Sequence, residues 1–563
     1  MSDPSRGGPN PLFRHFCRAR RGKAQGSAGL SRRGLFRVGL LAFISAYAGR
    51  VRFAWGRVPR DVFVMALQSD DIISLDPAEL FEFTGAEVAA NIYDRLLYFD
   101  PDDVETLKGG VAESWSLSGD GRVFRFKIRA GIGFQSGNPV TAEDAAYSLQ
   151  RVVLLNKAPA FIIAQFGLSP ENVRDKIRAA DPQTLEIETD RAYAPSFLYS
   201  CLTAAAASVV DMRLAESHAE NGDFGNRWLR TNSAGSGPFS LRAWKPSELI
   251  ILDRFEGHWR GASVMKSVFI RHIAEPGVQR LLIERGDIDV ARNLGPDQVV
   301  GMKDKPGLRV RHARKGSLYY LGLNQKNPHL RMPQVRKALK YLVDYDRLAM
   351  TILRGTAEIH QTIIPGGYLG ALEERPYQWN PEEAKKLLAA AGLGDGIELS
   401  VDVRNTRPDL DVAQSLQASF AEAGIRLRIL PGDGKQVLTK YRARNHDIFL
   451  GRWGPDYQDP HSNAQAFASN PDNSDQGRVK TLAWRNAWEI PELTHLTEAA
   501  ILERDRARRI ADYRDIQRRE LEDSPFVVVF QEVDLAVERA DVHGFVMGPS
   551  FDTVYYRGVV KDQ

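Results

Sequence analysis

"IELSVDVRNTRPDLDVAQSLQASFAEAGIRLRIL", Ile397 to Leu430, decides the architecture of the second half of the chain. IELSVDV reads as a strand and DVAQSLQASFAEAG as a helix. IRLRIL then returns as a strand, with Ile425, Leu427 and Ile429 alternating with Arg426 and Arg428. Strand, helix and strand in that order imply a crossover and a mostly parallel sheet. Just upstream, NPEEAKKLLAAAG predicts a helix capped by Asn380, with Pro381 in its first turn and Glu382 and Glu383 at its positive end. Ala384, Leu387, Leu388 and Ala391 supply its buried face, and Gly392 ends it. Just downstream, HDIFLG adds a strand and breaks into GRWGPDYQDPHS, Gly451 to Ser462. Open α/β sheets bind ligands beyond the carboxyl ends of their strands, which is where this turn stands.

The earlier part of the chain is richer in strands. DVFVMALQSD (Asp61 to Asp70) predicts the first, and GAEVAANIYDRLLYFD follows with Val88, Ile92, Leu96 and Leu97 at helical spacing. GRVFRFKIRAG alternates as a hairpin strand does, and TAEDAAYSLQRV opens a helix at Thr141, with Asp144 completing a capping box. DPQTLEIETD and SGPFSLRAWKPSELIILDRF are strands joined by turns. MPQVRKALKYLVDYDRLAMTIL places Val335, Leu339, Leu342, Val343 and Leu348 on one helical face. The charge-rich ERDRARRIADYRDIQRRE (Glu503 to Glu520) keeps a stripe of Ile510, Tyr513 and Ile516 or Gln517, which predicts a helix with a solvated face.

The chain has 563 residues, too many for one core, and an ordinary globular composition of 43% hydrophobic and 26% charged residues. The first 48 residues hold nine basic residues and a single acid, leaving 66 basic against 70 acidic residues in the remainder. The basic pI therefore belongs to the leader, and the case for a nucleic-acid partner goes with it. In that leader Ser31-Arg32-Arg33, followed by Leu35, Phe36 and Arg37, resembles the twin-arginine export signal S-R-R-x-F-L-K. The apolar stretch Val38–Ala48 is too short to span a bilayer, and Ala46-Tyr47-Ala48 has the form of a cleavage site. A cut nearer Ala54 and an uncleaved anchor stay open as alternatives. Cys17 lies in the leader, so Cys201 stands alone after it, as a small buried hydrophobe without a disulfide partner.

Nothing local signals catalysis. There is no G-x-S-x-G elbow, P-loop, H-E-x-x-H or Cys/His cluster. His446 and His461 flank the 451–462 turn without metal-ligand spacing, so neither a metal nor a cofactor is expected.

Five stretches, in order, resemble the solute-binding proteins of bacterial ABC importers for dipeptides, oligopeptides and nickel chelates (family 5). They are GVAESWSLSGDGRVFRFKIRAGIGFQSGNPVTAEDAAYSLQRV, GSGPFSLRAWKPSELIILDRFEGHWRG, NPHLRMPQVRKALKYLVDYDRLA, YQWNPEEAKKLLAAAG and WGPDYQDP. The resemblance implies an α/β, bilobal periplasmic-binding-protein fold of type II, large peptide-binding class, with an extra subdomain on the first lobe. It places the export signal at 1–48, and the first lobe at 58–99, 232–314 and 528–563. The extra subdomain then takes 100–231 and the second lobe 315–527, with crossings near Arg314–Tyr320 and Val527–Val533.

The resemblance also implies ligand residues. Trp453, Asp456, Asp459 and Pro460 match a W-x-x-D-x-x-D-P pattern in which Asp456 takes the place of the carboxylate that pairs with a peptide's α-amine. Trp453 and Tyr457 would wall the site, and Asp459 reads as a turn residue before Pro460. Arg407, before Pro408, resembles an arginine that holds the ligand's carboxylate through its planar fork, with Arg404 competing. Asn324 is expected to hydrogen-bond ligand backbone.

The expected function is that of a periplasmic receptor, a monomer, which is not an enzyme and hands a peptide-like solute unaltered to an ABC permease and ATPase complex. Alternatives are the same fold holding a metal chelate, an opine-like conjugate or an antibiotic peptide. An exported hydrolase using Asp456 and Asp459 as acid and base would instead show a bell-shaped pH profile.

Overall fold

A computed structural model describes residues 58–100, 103–477 and 479–562, so the leader over 1–48 and its cleavage points lie outside the described residues. The crossover expected at 397–430 is present as strand Ile397–Arg404, helix Asp409–Ala421 and strand Ile425–Gly432. The two strands are parallel, in register from Ile397 opposite Ile425 to Arg404 opposite Gly432. Their starts approach so closely that a Cβ on Gly396 would meet the Gly424 carbonyl oxygen at 2.4 Å, and both glycines have positive φ.

Strand Ile448–Trp453 pairs parallel to Ile397–Arg404 on its other side. The sheet then continues antiparallel through two long strands, Leu308–Leu323 and Phe526–Arg539. Beyond them come Val290–Ala291, Val62–Leu67, Ser267–His272, Leu249–Arg254 and Phe239–Lys245, with Ala357–Ile359 pairing off this path to complete eleven strands. One sheet thus serves both halves of the chain, and the two long strands carry it across. Their register breaks between Arg314 and Leu318. There the buried Lys315 donates to the Gly548 carbonyl at 2.7 Å, and Gly316 N–H donates to the Pro549 carbonyl at 2.9 Å.

Past the break the long strands are apolar on both faces, as strands covered on two sides must be. Tyr319, Leu321, Val527 and Val529 enter one core, while Leu318, Tyr320, Phe526 and Val528 enter another, the period-2 alternation of a strand. A third core fills the first half, around Phe63, Val268 and Tyr556. A fourth belongs to a separate four-stranded antiparallel sheet, Ala112–Leu117, Val123–Ile128, Thr184–Glu188 and Ile177–Asp181, covered by helix Ala142–Leu155. On Val123–Ile128 the residues Phe124, Phe126 and Ile128 point inward, and Arg125 and Lys127 outward. The first described strand meets the C-terminal residues in the first half, where Lys561 Nζ donates to the Val62 carbonyl at 2.5 Å and pairs with Asp289 at 2.7 Å.

Thr141 and Asp144 form the expected capping box, and the Asn380 side chain accepts from Glu383 N–H at 3.0 Å. Two helical expectations are corrected. The helix begun at Phe83 stops at Ile92, whose carbonyl accepts from Gly237 N–H and the Gln135 amide instead of from a next turn. Leu96 closes a loop, and Leu97 opens strand Leu97–Asp100. The stretch from Met332 forms two helices, Pro333–Tyr341 and Tyr345–Met350, because Asp344 caps the second through Arg347 N–H at 3.1 Å. The apolar residues expected there are buried all the same. Among the described residues no helix is long and apolar enough to cross a membrane.

Candidate functional site

Strand Ile448–Trp453 ends at Gly454, and the turn that follows borders a cavity of about 940 Å³, measured out to its open mouth. The wall is assembled from both halves of the chain: Gly454–Gln458 and Tyr368 face the register break at Gly316 and Ser317, the 80–99 stretch and the 549–555 loop. Ala204–Ala206, from the region of the four-stranded sheet, closes one side. The walls already touch across the opening, where Gln458 Nε2 donates to Ser550 Oγ at 2.9 Å.

The apolar wall is aromatic. Phe83 stacks on Phe551 with ring centroids 3.7 Å apart, yet Phe83 stays 51% exposed and Phe81 44% exposed. Large apolar side chains open to a concave surface are what ligand pockets present.

The charges around the cavity are mainly acidic. Asp456 is half-buried, and its N–H donates to Ser462 Oγ at 2.8 Å. Among the described residues its carboxylate makes neither hydrogen bond nor ion pair. Burial raises its pKa to about 7, and the Arg485 charge opposes that rise. Burial likewise raises the Glu82 carboxyl. Asp552 is paired with Arg95 at 2.9 Å, and Arg95 also donates to the Thr203 carbonyl at 2.5 Å, so this guanidinium is already occupied.

Asp459 belongs to a different environment. Its side chain caps helix Pro460–Ala468 through His461 N–H at 2.9 Å, which corrects the expectation of a simple turn. Both of its oxygens accept from Arg509, at 2.8 and 2.9 Å. Arg509 also donates to the Ala500 carbonyl, Ser196 Oγ and Tyr513 OH, which uses its whole fork inside the protein. Held in this way, Asp459 is not available as the second member of an acid–base pair.

The remaining expected residues divide. Tyr457 borders the cavity, but its ring is 4% exposed and packs on Phe197 in the core of the four-stranded region, and its hydroxyl has no partner. Trp453 packs beside the core of the second half and is not among the residues that line the cavity. Arg407 is corrected: its side chain is 85% exposed, pairs with Asp411 at 3.5 Å and stands outside the cavity. Arg404 is exposed at its strand's end. Asn324 is corrected as well. Its amide donates to the Arg444 and His446 carbonyls at 3.0 and 2.8 Å and accepts from Lys326 N–H, and the residue is buried and outside the cavity lining.

Burial lowers the pKa of His446 to about 4 and of His461 to about 3, which keeps both neutral. Among the described residues no group of three His, Cys, Asp or Glu is placed to hold a metal ion. Cys201 is fully buried, burial raises its thiol, and Gln165 Nε2 donates to its sulfur at 3.3 Å. Sequence reasoning missed Arg95, Glu82, Phe83, Phe551 and Asp552, which come from stretches hundreds of residues apart and share no motif.

A family model described as "Bacterial extracellular solute-binding proteins, family 5 Middle" matches residues 106–475. The probable D,D-dipeptide-binding periplasmic protein DdpA of Escherichia coli K12 is 28% identical over 528 residues, covering 92% of this chain and 98% of that protein. Among solved structures, the periplasmic binding protein DppA of Helicobacter pylori in complex with the peptide STSA superposes with a TM-score of 0.76 at 23% identity, over 89% of this chain and 98% of that one. NikZ of Campylobacter jejuni, in complex with Ni(L-His), superposes with a TM-score of 0.73 at 20% identity, over 90% of this chain and 100% of that one.

Proposed function

The chain belongs to the bacterial extracellular solute-binding proteins of family 5, and from that premise we propose that it is the receptor of an ABC importer for a peptide or peptide-like solute. The observation that carries the reading is the Asp456 carboxylate, unpaired in a cavity whose walls come from both halves of the chain. A peptide's α-ammonium supplies the partner that this carboxylate lacks. In a site that excludes water and salt, the attraction exceeds that of a surface pair. A hydrogen bond to a charged group contributes about 1.5–3 kcal/mol. The aromatic wall at Phe81, Phe83 and Phe551 would take the apolar part of the cargo.

In this reading residues 58–99, 232–314 and 528–563 make the first lobe, 100–231 the added subdomain and 315–527 the second lobe. The separate cores follow that division in the main, with Tyr147, Val210 and Leu229 of the subdomain packing in the first-lobe core and Tyr457 of the second lobe in the subdomain's. The lobes close as a hinge at the Arg314–Leu318 break, driven by contacts the cargo makes to both walls. The leader at 1–48 sends the protein by the twin-arginine route to the periplasm. There it works as a monomer beside a permease and ATPase complex and releases its cargo chemically unchanged.

Isothermal titration of the exported protein against di- and oligopeptides, with mass spectrometry of co-purified ligand, tests the proposal. Stoichiometric binding without turnover is expected. Failure of every peptide together with tight binding of a metal chelate, an opine or a sugar would overturn the choice of cargo.

A further inference from the structure

A second cavity, about 1120 Å³ out to its mouth, lies against the first, and Arg95, Tyr98 and Tyr555 line both. Its charge is of the opposite kind. Lys108 is paired with Asp100 and Arg95 with Asp552, which leaves His258 and Arg260 beside one carboxylate, Asp94, and Arg557 on the same cavity wall.

These basic side chains are poorly matched by that acid. Asp94 Oδ2 already accepts from Ser236 Oγ at 3.0 Å and Trp259 Nε1 at 3.1 Å. Arg260 Nη2 stands 3.8 Å from Asp94 and His258 Nε2 stands 3.7 Å from it, both beyond hydrogen-bond reach. Among the described residues Arg260 Nε and His258 Nε2 are buried without a hydrogen-bond partner, and His258 as a whole is 5% exposed. An unbonded buried Nε recurs in other arginines among the described residues, so the subsite rests on the Arg260 Nη edge, whose one acid within ion-pair range there is Asp94 at 3.8 Å. Arg557 donates to the Arg260 carbonyl at 3.1 Å and has no acidic partner among the described residues.

The guanidinium is also preset. Its central carbon lies 4.5 Å from the ring centroids of both Tyr98 and Trp259. Stacking of that kind fixes the plane of the fork and leaves its edge for a planar acid. The Arg260 side chain is 27% exposed and lines the cavity, while its Nε is buried.

We propose that this second cavity is an anion subsite that takes a carboxylate on the Arg260 fork, flanked by Arg557 and His258. Two sources share that chemistry: an acidic group of the cargo reaching past the common wall at Tyr98 and Tyr555, or a separate small carboxylate. The subsite does not depend on the peptide reading.

The test titrates glutarate, and the amidated tripeptides Ala-Ala-Glu and Ala-Ala-Gln, into wild type, Arg260→Gln and Arg557→Gln. Arg557→Gln serves if Arg260→Gln loses its fold by thermal scan. Glutarate binding that falls at least tenfold in the variants, with the two peptides bound equally, supports the subsite with a separate anion as its ligand. At least tenfold tighter binding of the Glu peptide, lost in the variants, supports it with the cargo as the source. Glutarate binding that falls in the variants while no peptide binds at all leaves the subsite standing and removes the peptide reading. An absence of glutarate binding and of any Glu advantage, or either effect surviving both substitutions unchanged, overturns the proposal.

Discussion

Asp456 and Asp459 lie on one turn, yet the turn's two ends meet opposite surroundings. Asp459 faces inward, where Arg509 closes on both its oxygens and a helix N-terminus takes a third contact. Asp456 faces the cavity, where burial disfavours its charge, Arg485 offsets this only in part, and no hydrogen bond or ion pair reaches its carboxylate among the described residues. Residue type and local spacing are the same for both; pairing is what differs. A carboxylate that is buried and matched belongs to the structure, and one that is partly buried and unmatched is poised for a ligand.

The contrast is broken most forcefully at its structural end. Asp459→Ala strands Arg509 as an unpaired buried charge and is expected to cost about 3–5 kcal/mol of stability, seen as a marked fall in the thermal unfolding temperature. Unchanged unfolding would deny the pair its role. Asp456→Asn should do the reverse. It weakens peptide binding by about 10- to 100-fold, the equivalent of the lost charged hydrogen bond, without lowering thermal stability. Loss of stability comparable to that of the Asp459 variant would collapse the distinction.

A pH titration sharpens the comparison. With its pKa raised to about 7, Asp456 is ionised in the free cavity only above that value. Affinity for an ammonium group therefore falls as pH drops through 7 towards 5, by at most about tenfold per unit, and the Asp456→Asn variant shows a flat profile over that range. Because the charged carboxylate is the disfavoured form when no cargo is bound, this group adds stability as pH falls through 7, the opposite of an acid held in an ion pair. Uptake of cargo at pH 6.5 should accordingly release protons, measurable as a dependence of binding heat on buffer ionisation enthalpy. The smallest effect belongs to Arg407→Ala, expected to alter affinity less than about twofold and stability by less than about 0.5 kcal/mol, since its side chain stands in water. A tenfold loss would restore it as a carboxylate anchor.

Much of the scaffold was legible because its signals are local. The 397–430 crossover, the Thr141 and Asn380 caps and the placement of the 451–462 turn at a strand's end all follow from neighbouring residues. Arg509 was legible in principle. Arg509, Tyr513, Ile516 and Glu520 follow helical spacing and are all buried, but an arginine at the head of a stripe reads as solvated when its partner is out of view. The cavity wall was not legible. Phe83 meets Phe551, and Arg95 meets Asp552, through tertiary contacts that leave no trace in local spacing. Leu96 and Leu97 misled for the same reason, since the Ile92 carbonyl that would have continued the helix is claimed by Gly237 from far along the chain. Arg407 rests on a short resemblance and Asn324 on its place where the chain re-enters the second lobe, and neither says where a side chain turns.

The contact between Lys561 and both Val62 and Asp289 ties the earliest described strand to the end of the chain. Val62–Leu67 has its strand partners by residue 291, at Ser267–His272 and Val290–Ala291, whereas Leu308–Leu323 and Ala357–Ile359 share a partner, Phe526–Arg539, that comes only near the end. The 549–555 loop, one side of the aromatic wall, arrives last of all. A nascent or C-terminally clipped chain therefore holds the turn that bears Asp456 without the part of the wall that the 549–555 loop supplies.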